Sequence, residues 1–230
     1  MQKFMIIAVD GPAASGKSTL AKNIADRLNY LYVDTGAMYR AITYYALENK
    51  IEENEPAVIE AVKNIALRLD YKNGVTQVFI NNEDVTSKIR TPRVNAKVSD
   101  ISKIKEVREQ LVKLQQQFGK ENNLVVEGRD TTTVVFPNAD LKVFLTAEAK
   151  ERAKRRHKEY TEKEIEISVE DVEKSLLNRD KIDSERKVSP LKKADDAFEL
   201  DTTDLSIEEV INKIIDKVKE IKTITNNMLN

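Results

Sequence analysis

The chain contains no cysteine and a single histidine, His157, among its 230 residues. Disulfides, a thiolate nucleophile and cysteine-rich zinc sites are thereby excluded, and one imidazole cannot build a metal cluster by itself. Any chemistry must rest on lysine, arginine, aspartate, serine and threonine. Charge of one sign is also missing. There are 38 Lys+Arg against 39 Asp+Glu, a formal net charge of −1, and the basic residues are spread along the chain. A large electrostatic footprint for nucleic acid is not indicated, whereas small anionic ligands are compatible. Long apolar runs are lacking too. Phe4 to Val9 is too short for the apolar region of a secretion signal, and nothing approaches the ~20 apolar residues of a membrane span. A soluble, cytoplasmic protein is expected, with neither nucleic acid nor membrane as a partner. The length suits one main domain, 1–230, with insertions, by the soft prior of about 150 residues per domain. Charged residues make up 33%, above the usual ~25%, which reads as solvated helix faces with internal pairing.

Against these absences stands one strong motif. Phe4 to Asp10 reads as a strand and runs into Gly11-Pro12-Ala13-Ala14-Ser15-Gly16-Lys17-Ser18-Thr19, the pattern G-x-x-x-x-G-K-[ST]. Small residues let the chain curl until successive backbone N–H groups converge on one anion. Lys17 adds a point charge for β- and γ-phosphates, and Ser18 offers a hydroxyl to Mg²⁺. The helix that begins here turns its positive end toward the phosphates. The apolar strand before the loop and the spaced Leu20, Ile24 and Leu28 after it supply the context that a chance Gly-Lys-Ser turn lacks. The loop is read as a site for a nucleoside triphosphate. Where the terminal phosphoryl goes, the loop alone leaves open.

Further along, Tyr30 to Val33 reads as a strand ending at Asp34-Thr35-Gly36, followed by a helix from Ala37 to about Asn49. Asp34 and Thr35 fall at a strand's carboxyl end, where open parallel sheets bind ligands. Arg40 can face that crevice, although Thr35 as a helix cap, Tyr39 as core and Arg40 as a surface charge is the plainer reading. Residues 56 to 69 repeat at helical spacing. Asp70 to Lys72 and Thr76 to Ile80, separated by Asn73-Gly74, then read as a hairpin, and a short strand or turn follows at Asn82 to Val85. This antiparallel patch, roughly residues 60 to 100, reads as an insertion in an otherwise alternating βα chain, of the kind that reaches over a site.

Helices follow from Pro92, with Val94, Val98, Ser99 and Ile101, and from Ile104 to Phe118, with Arg108 at the edge of the apolar stripe. Leu124 to Val126 suits a buried parallel strand that ends in Glu127-Gly128-Arg129-Asp130, charge packed where ligands bind, with Gly128 permitting close approach. Thr131 to Pro137 reads as a loop and Leu141 to Leu145 as the next strand. Glu148 to Tyr160 is a charged helix whose Arg152, Arg155 and Arg156 share a surface, but Glu148–Arg152 and Glu151–Arg155 are also i,i+4 pairs on a solvated face. Thr161 to Ile167 is polar. In the next helix Arg179, Asp183 and Arg186 repeat at i, i+4, i+7, one face if the stretch is helical. A last strand spans Ala197 to Thr202, and Ser206 with Glu209 caps a last helix to about Lys222. The end from Thr223 reads as frayed.

The phosphate loop, Asp34-Thr35-Gly36-Ala37-Met38-Tyr39-Arg40, the hairpin, Glu127-Gly128-Arg129-Asp130, Thr133-Val134-Val135-Phe136-Pro137, the arginine-rich helix and the Arg179–Asp183–Arg186 set follow one another at spacings that resemble the cytidylate kinases of bacteria over nearly the whole chain. The resemblance implies a three-layer αβα P-loop NTPase fold with a central parallel sheet. It also implies an antiparallel insertion that binds a nucleoside monophosphate and a helical lid at approximately 148–167. It implies that Thr35, Arg40, Arg129 and Arg186 bind the acceptor phosphate, that Ser99, Arg108 and Asp130 hold the cytosine, and that Arg179 and Asp183 hold the pentose, with Tyr39 among the acceptor-site residues. On the donor side Lys17, Mg²⁺ and the lid residues Arg152 and Arg156 are the candidates. One departure stands out. Where the family commonly has an apolar residue and then glycine after Gly-Arg-Asp, this chain has Thr131-Thr132, which bears on the position of Asp130 and so on base selectivity.

The implied reaction moves the γ-phosphoryl of ATP to CMP or dCMP in a monomeric enzyme. The acceptor is already an anion and needs no general base, which suits a chain without catalytic histidine or cysteine. Two polyanions must be brought together in line, which gives an excess of arginines a purpose. A kinase for another monophosphate shares most of these features and differs at Ser99, Arg108 and Asp130. A nucleotide switch is disfavoured by the absence of an N-K-x-D guanine-reading motif.

Overall fold

In the computed structural model, which describes residues 4–72 and 75–229, the chain begins with β1 (Ile6–Asp10), α1 (Lys17–Leu28), β2 (Leu31–Asp34) and α2 (Thr35–Glu48). It continues through α3 (Glu55–Asn64), β3 (Leu67–Lys72), β4 (Val75–Ile80), β5 (Glu83–Asp84), α4 (Pro92–Ser102) and α5 (Lys105–Phe118). The last part is β6 (Leu124–Glu127), β7 (Leu141–Thr146), α6 (Ala149–Thr161), α7 (Val169–Glu185), β8 (Phe198–Asp201) and α8 (Ile207–Leu229). Five strands form one parallel sheet in the order β2-β6-β1-β7-β8, and β3-β4-β5 form a separate three-stranded sheet.

The central strands are largely apolar, with Asp10 and Glu127 confined to the carboxyl ends of β1 and β6, because both faces are covered. Ile7, Val9, Val143 and Leu145 pack with Leu20 and Ile24 of α1 and with Ile211, Ile214 and Val218 of α8. Ala8, Leu124 and Val126 point the other way, toward Phe136 and the α5 side chains Val112 and Phe118. The layers are thus helix, sheet and helix, as expected. A further cluster joins α2 (Met38, Ile42), α3 (Val58, Val62), α4 (Val98, Ile101) and α5 (Val107, Leu111) beside the sheet. The small sheet lies against the β2 edge, where Tyr71 meets Tyr32 edge to face at 5.3 Å.

Several boundaries differ from the sequence reading. The helical spacing over 56 to 69 overran: α3 stops at Asn64, and Leu69 belongs to β3, paired with Val78. The alternation Leu67-Arg68-Leu69-Asp70 is the period of a strand, which outweighs the extrapolated helical repeat. The hairpin partners pair antiparallel, with Asn73-Gly74 itself outside the described residues. Helix α2 begins at Thr35 rather than Ala37, and Asp34, not Thr35, is its cap, accepting from the Ala37 N–H. Thr131–Val135 is a single π-helical turn rather than a loop. Helix α8 continues to Leu229, past the expected fraying from Thr223. Ser206 and Glu209 form the anticipated reciprocal cap, with the Ser206 N–H donating to Glu209 Oε2 at 2.8 Å. No described helix is long and apolar enough to cross a membrane.

Candidate active site

The carboxyl ends of the parallel strands carry Asp10, Asp34 and Glu127, and the loops leaving them surround a cavity of about 710 Å³. One end of it is the phosphate loop. Gly11 has φ 149°, and a Cβ there would lie 2.1 Å from the Leu145 carbonyl oxygen, so no other residue fits. Residues 14–19, Ser18 among them, line the cavity, whereas Gly11, Pro12 and Ala13 do not. Lys17 is buried, and its Nζ donates to the Pro12 carbonyl at 2.6 Å and to Ser15 Oγ at 3.3 Å. Burial lowers its pKa well below that of an ordinary lysine, and the positive charge of Arg129 adds to this while Glu127 opposes it.

Both polar groups of the Ala13 peptide are gripped. Its N–H donates to Asp180 Oδ1 at 2.9 Å, and its carbonyl accepts from Arg152 Nη1 at 3.0 Å. Arg152 also pairs with Asp180, while Ala13 packs with Ala153 of α6 and Val172 and Leu176 of α7. Arg152 is therefore turned to the outside of the loop and is not among the residues lining the cavity, in contrast to its expected place on the donor phosphates. Arg155 and Arg156 do line it. Arg155 donates to the Thr202 hydroxyl and carbonyl at 3.0 and 2.7 Å, and Arg156 pairs with Glu159 at 2.8 Å.

Across the cavity stand Arg40, Arg129, Arg179 and Arg186. Asp34 holds Arg40 at 3.0 Å and Arg90 at 2.6 Å. Burial raises the Asp34 carboxyl, but the two guanidiniums and the Ala37 N–H outweigh it and hold its pKa at about 2. Asp183 accepts from Arg129 Nε at 3.0 Å and lies 3.9 Å from Arg179 and 3.7 Å from Arg186. Burial and the neighbouring Arg129 push Arg179 down to about 9, which leaves it charged at neutral pH. Burial lowers Arg40 and Arg186 as well. Arg40 Nε, Arg179 Nε and Arg186 Nη2 are buried without any hydrogen-bond partner. Such donors cost about 1–3 kcal/mol each when unmet.

Beyond these arginines Arg108, buried, ion-pairs with Asp130, donates to the Ser102 carbonyl at 3.1 Å and lies 5.0 Å from the centre of the Tyr39 ring. Burial raises the Tyr39 hydroxyl to about 12. Arg186 approaches the other Asp130 oxygen at 3.7 Å. The structure thus brings Thr35, Tyr39, Arg40, Arg108, Arg129, Asp130, Arg179, Asp183 and Arg186 around the same cavity as Lys17 and Ser18. Ser99 is buried and off the lining, with Ser102 on α4 lining the cavity instead. The Thr35 hydroxyl donates to the Glu127 carbonyl at 2.7 Å. At Gly128 a Cβ would sit 2.5 Å from that hydroxyl and 2.7 Å from Thr131 Cγ2, which accounts for glycine there.

The sequence reading did not single out Asp10, Arg90 or Asp180, and it placed Asp34, Glu127 and Arg155 near the site without giving them a role. The three strand-end carboxylates carried a signal in their position; Arg90, reaching Asp34 from 56 residues away, carried none. Oxygen ligands are what a hard cation requires, and Ser18 and Glu127 present them to the cavity. Among the described residues no group of three or more His, Asp or Glu could hold a metal unaided. The set fits Mg²⁺ as it is usually held, by few protein ligands with phosphates and water.

A family model described as cytidylate kinase matches residues 7–220. A cytidylate kinase of Bacillus cereus is 50% identical over 222 residues, 96% of this chain and 99% of its own length. One of Bacillus thuringiensis is 50% identical over 216 residues, covering 94% of this chain and 96% of that one. The crystal structure of an uncharacterized protein from Eubacterium ventriosum superimposes with a TM-score of 0.53 at 11% identity, covering 95% of this chain and 99% of that one, a likeness of fold alone. Motif order, cavity and matched length agree, and the chain belongs to the cytidylate kinase family.

Proposed function

We propose that this protein transfers the γ-phosphoryl group of ATP to CMP or dCMP, giving ADP and the corresponding diphosphate. The carrying observation is the set of arginines Arg40, Arg179 and Arg186, each with a buried guanidinium nitrogen that makes no hydrogen bond, lining the cavity shared with the phosphate loop. A nucleotide-binding module needs the loop alone; a second anion site facing it is what a monophosphate kinase needs.

On the donor side the loop N–H groups, Lys17 and the start of α1 bind the triphosphate, with Arg155 and Arg156 at the rim. Ser18, with Glu127 beyond it, would hold Mg²⁺, which supplies neutralisation of phosphate charge when bound. On the acceptor side Arg40, Arg129 and Arg186 take the phosphate, their forks matching its oxygens bidentately, with Thr35 lining the cavity beside them. Arg179 and Asp183 face the pentose. Asp130 accepts from the exocyclic amine of cytosine and Arg108 donates to its carbonyl or ring nitrogen, with Ser99 on α4 nearby. Uracil offers a carbonyl where the amine should be, which forfeits a buried hydrogen bond to the carboxylate at a cost of about 1–3 kcal/mol. The stretch from about 60 to 100 is read as the acceptor-binding region and approximately 148–167 as the lid, whose closure would exclude water and suppress hydrolysis. A monomer in the cytoplasm, where both nucleotides are made and used, is the corresponding setting.

The test is ADP formation from Mg·ATP with CMP, dCMP, UMP, AMP or no acceptor. Turnover confined to cytidine nucleotides is expected, and Asp130→Ala should reduce the CMP/UMP preference by about ten- to a hundredfold. Slow turnover that is equal with and without acceptor would refute the kinase reading. Strong turnover with another monophosphate would keep the fold and change the substrate.

A further inference from the structure

Asp10 closes β1, is fully buried, and is satisfied by two consecutive residues far away in sequence. Its Oδ1 accepts from the Thr131 N–H at 2.9 Å and the Thr131 hydroxyl at 2.8 Å. Its Oδ2 accepts from the Thr132 N–H at 2.7 Å and the Thr132 hydroxyl at 2.6 Å. Four donors match the acceptor capacity of a carboxylate; burial raises the Asp10 pKa, with the nearby Asp130 charge adding to it, and the threonine bonds oppose the rise.

The clasp acts on the segment that carries Arg129 and Asp130. Ahead of them, the Gly128 N–H donates to the Val9 carbonyl at 2.9 Å, and behind them Thr131 and Thr132 are tied to Asp10, so residues 128 to 132 are stapled at both ends to the last two residues of β1. The Asp130 carbonyl is fixed in turn by the Val134 and Val135 N–H groups at 2.9 and 3.2 Å. Thr131 and Thr132 are themselves buried and do not line the cavity, whereas Gly128, Arg129 and Asp130 do. Threonine suits the task because its branched side chain is stiff at χ1 and presents the hydroxyl in a fixed direction.

We propose that Thr131 and Thr132 are positioning residues for the acceptor base: by clasping Asp10 they set the backbone of Asp130 relative to the phosphate loop, so that preference for cytosine depends on two hydroxyls outside the base site. This rests on the reading of Asp130 as the group that recognises the base. The same clasp joins the root of the donor loop to the root of the acceptor loop, with Asp10 immediately before Gly11.

Thr131→Val and Thr132→Val keep size and backbone N–H and remove only the hydroxyl. Each is expected to raise KM for CMP by about five- to thirtyfold, on the scale set by small misplacements of reacting groups. We expect kcat and KM for ATP to move little, the CMP/UMP preference to fall, and Thr→Ser at either position to restore both KM and preference. In an Asp130→Ala background the valine changes should cause no further loss of preference. A valine variant that melts at a lower temperature but keeps the wild-type KM for CMP and CMP/UMP ratio overturns the proposal and makes the clasp purely structural. Should valine prevent folding, Thr131→Ala and Thr132→Ala leave room for water at the carboxylate and are held to the same criteria. Asp130→Ala alone separates the two kinds of failure. If it leaves the ratio unchanged, the base reading falls and this inference with it; if it lowers the ratio while the threonine variants do not, only this inference falls.

Discussion

Asp34 serves three groups at the acceptor end: it caps α2, holds Arg40 and holds Arg90. Its folded pKa of about 2 lies below the ordinary 3.8. The stability it contributes is therefore fully present above about pH 4 and is lost as pH falls toward 2, a difference of about 2 kcal/mol across that window. Asp34→Asn should be less stable than wild type at pH 7, and the gap should close on acidification from pH 4 to 2 in denaturant titrations. A gap that stays constant across this range would contradict the assignment. The same variant should raise KM for CMP, because Arg40 loses its anchor. At this scale much was legible: the strand-end position of Asp34 and the departure at Thr131-Thr132 are visible in the sequence. Their partners are not, because Arg90 is separated from Asp34 by 56 positions and Asp10 from Thr131 by 121, and no local pattern encodes such meetings.

The helices α6 and α7 show what an i,i+4 pattern cannot decide. Spacing alone makes Arg152, Arg155 and Arg156 neighbours on a solvated face; packing sends them three ways, to Ala13 and Asp180, to Thr202 and to Glu159. The anticipated Glu151–Arg155 pair does form, at 3.2 Å, and coexists with the inward contact. Arg152→Gln should cost about 3 kcal/mol, since it leaves Asp180 and the Ala13 carbonyl without their cation. It should also raise KM for ATP while leaving KM for CMP close to wild type. Equal effects on both substrates would mean that the grip on Ala13 does not belong to the donor side. Element types were readable wherever the apolar period was long, as in α1, α5 and the parallel strands. They failed where two periods overlapped, at residues 65 to 69, and where a turn of unusual width closed over Asp10.

For the whole molecule, one cavity is read as accommodating both nucleotides. Adenosine and cytidine joined by five phosphates should therefore stabilise the protein more than ATP or CMP alone. At the same saturating concentration as ATP, a ligand bound a hundredfold more tightly adds about 2.7 kcal/mol beyond what ATP gives, a further rise in Tm of roughly 5–10 °C for a chain of this size. A rise no larger than that with ATP would show that the two ends do not bind together. The alternation of strands and helices was legible, whereas the order β2-β6-β1-β7-β8 was not, because β1 pairs on both sides with strands that lie beyond the insertion. That pairing has a consequence for biosynthesis. As the chain leaves the ribosome, β1 emerges as an apolar strand with two open edges; its first neighbour, β6, is complete only at residue 127 and its second, β7, only at residue 146. Asp180, which holds Ala13, follows later still. The motif translated first is among the last parts to be finished, so nucleotide cannot serve as an early template, and the nascent first half is the stretch most in need of protection from association.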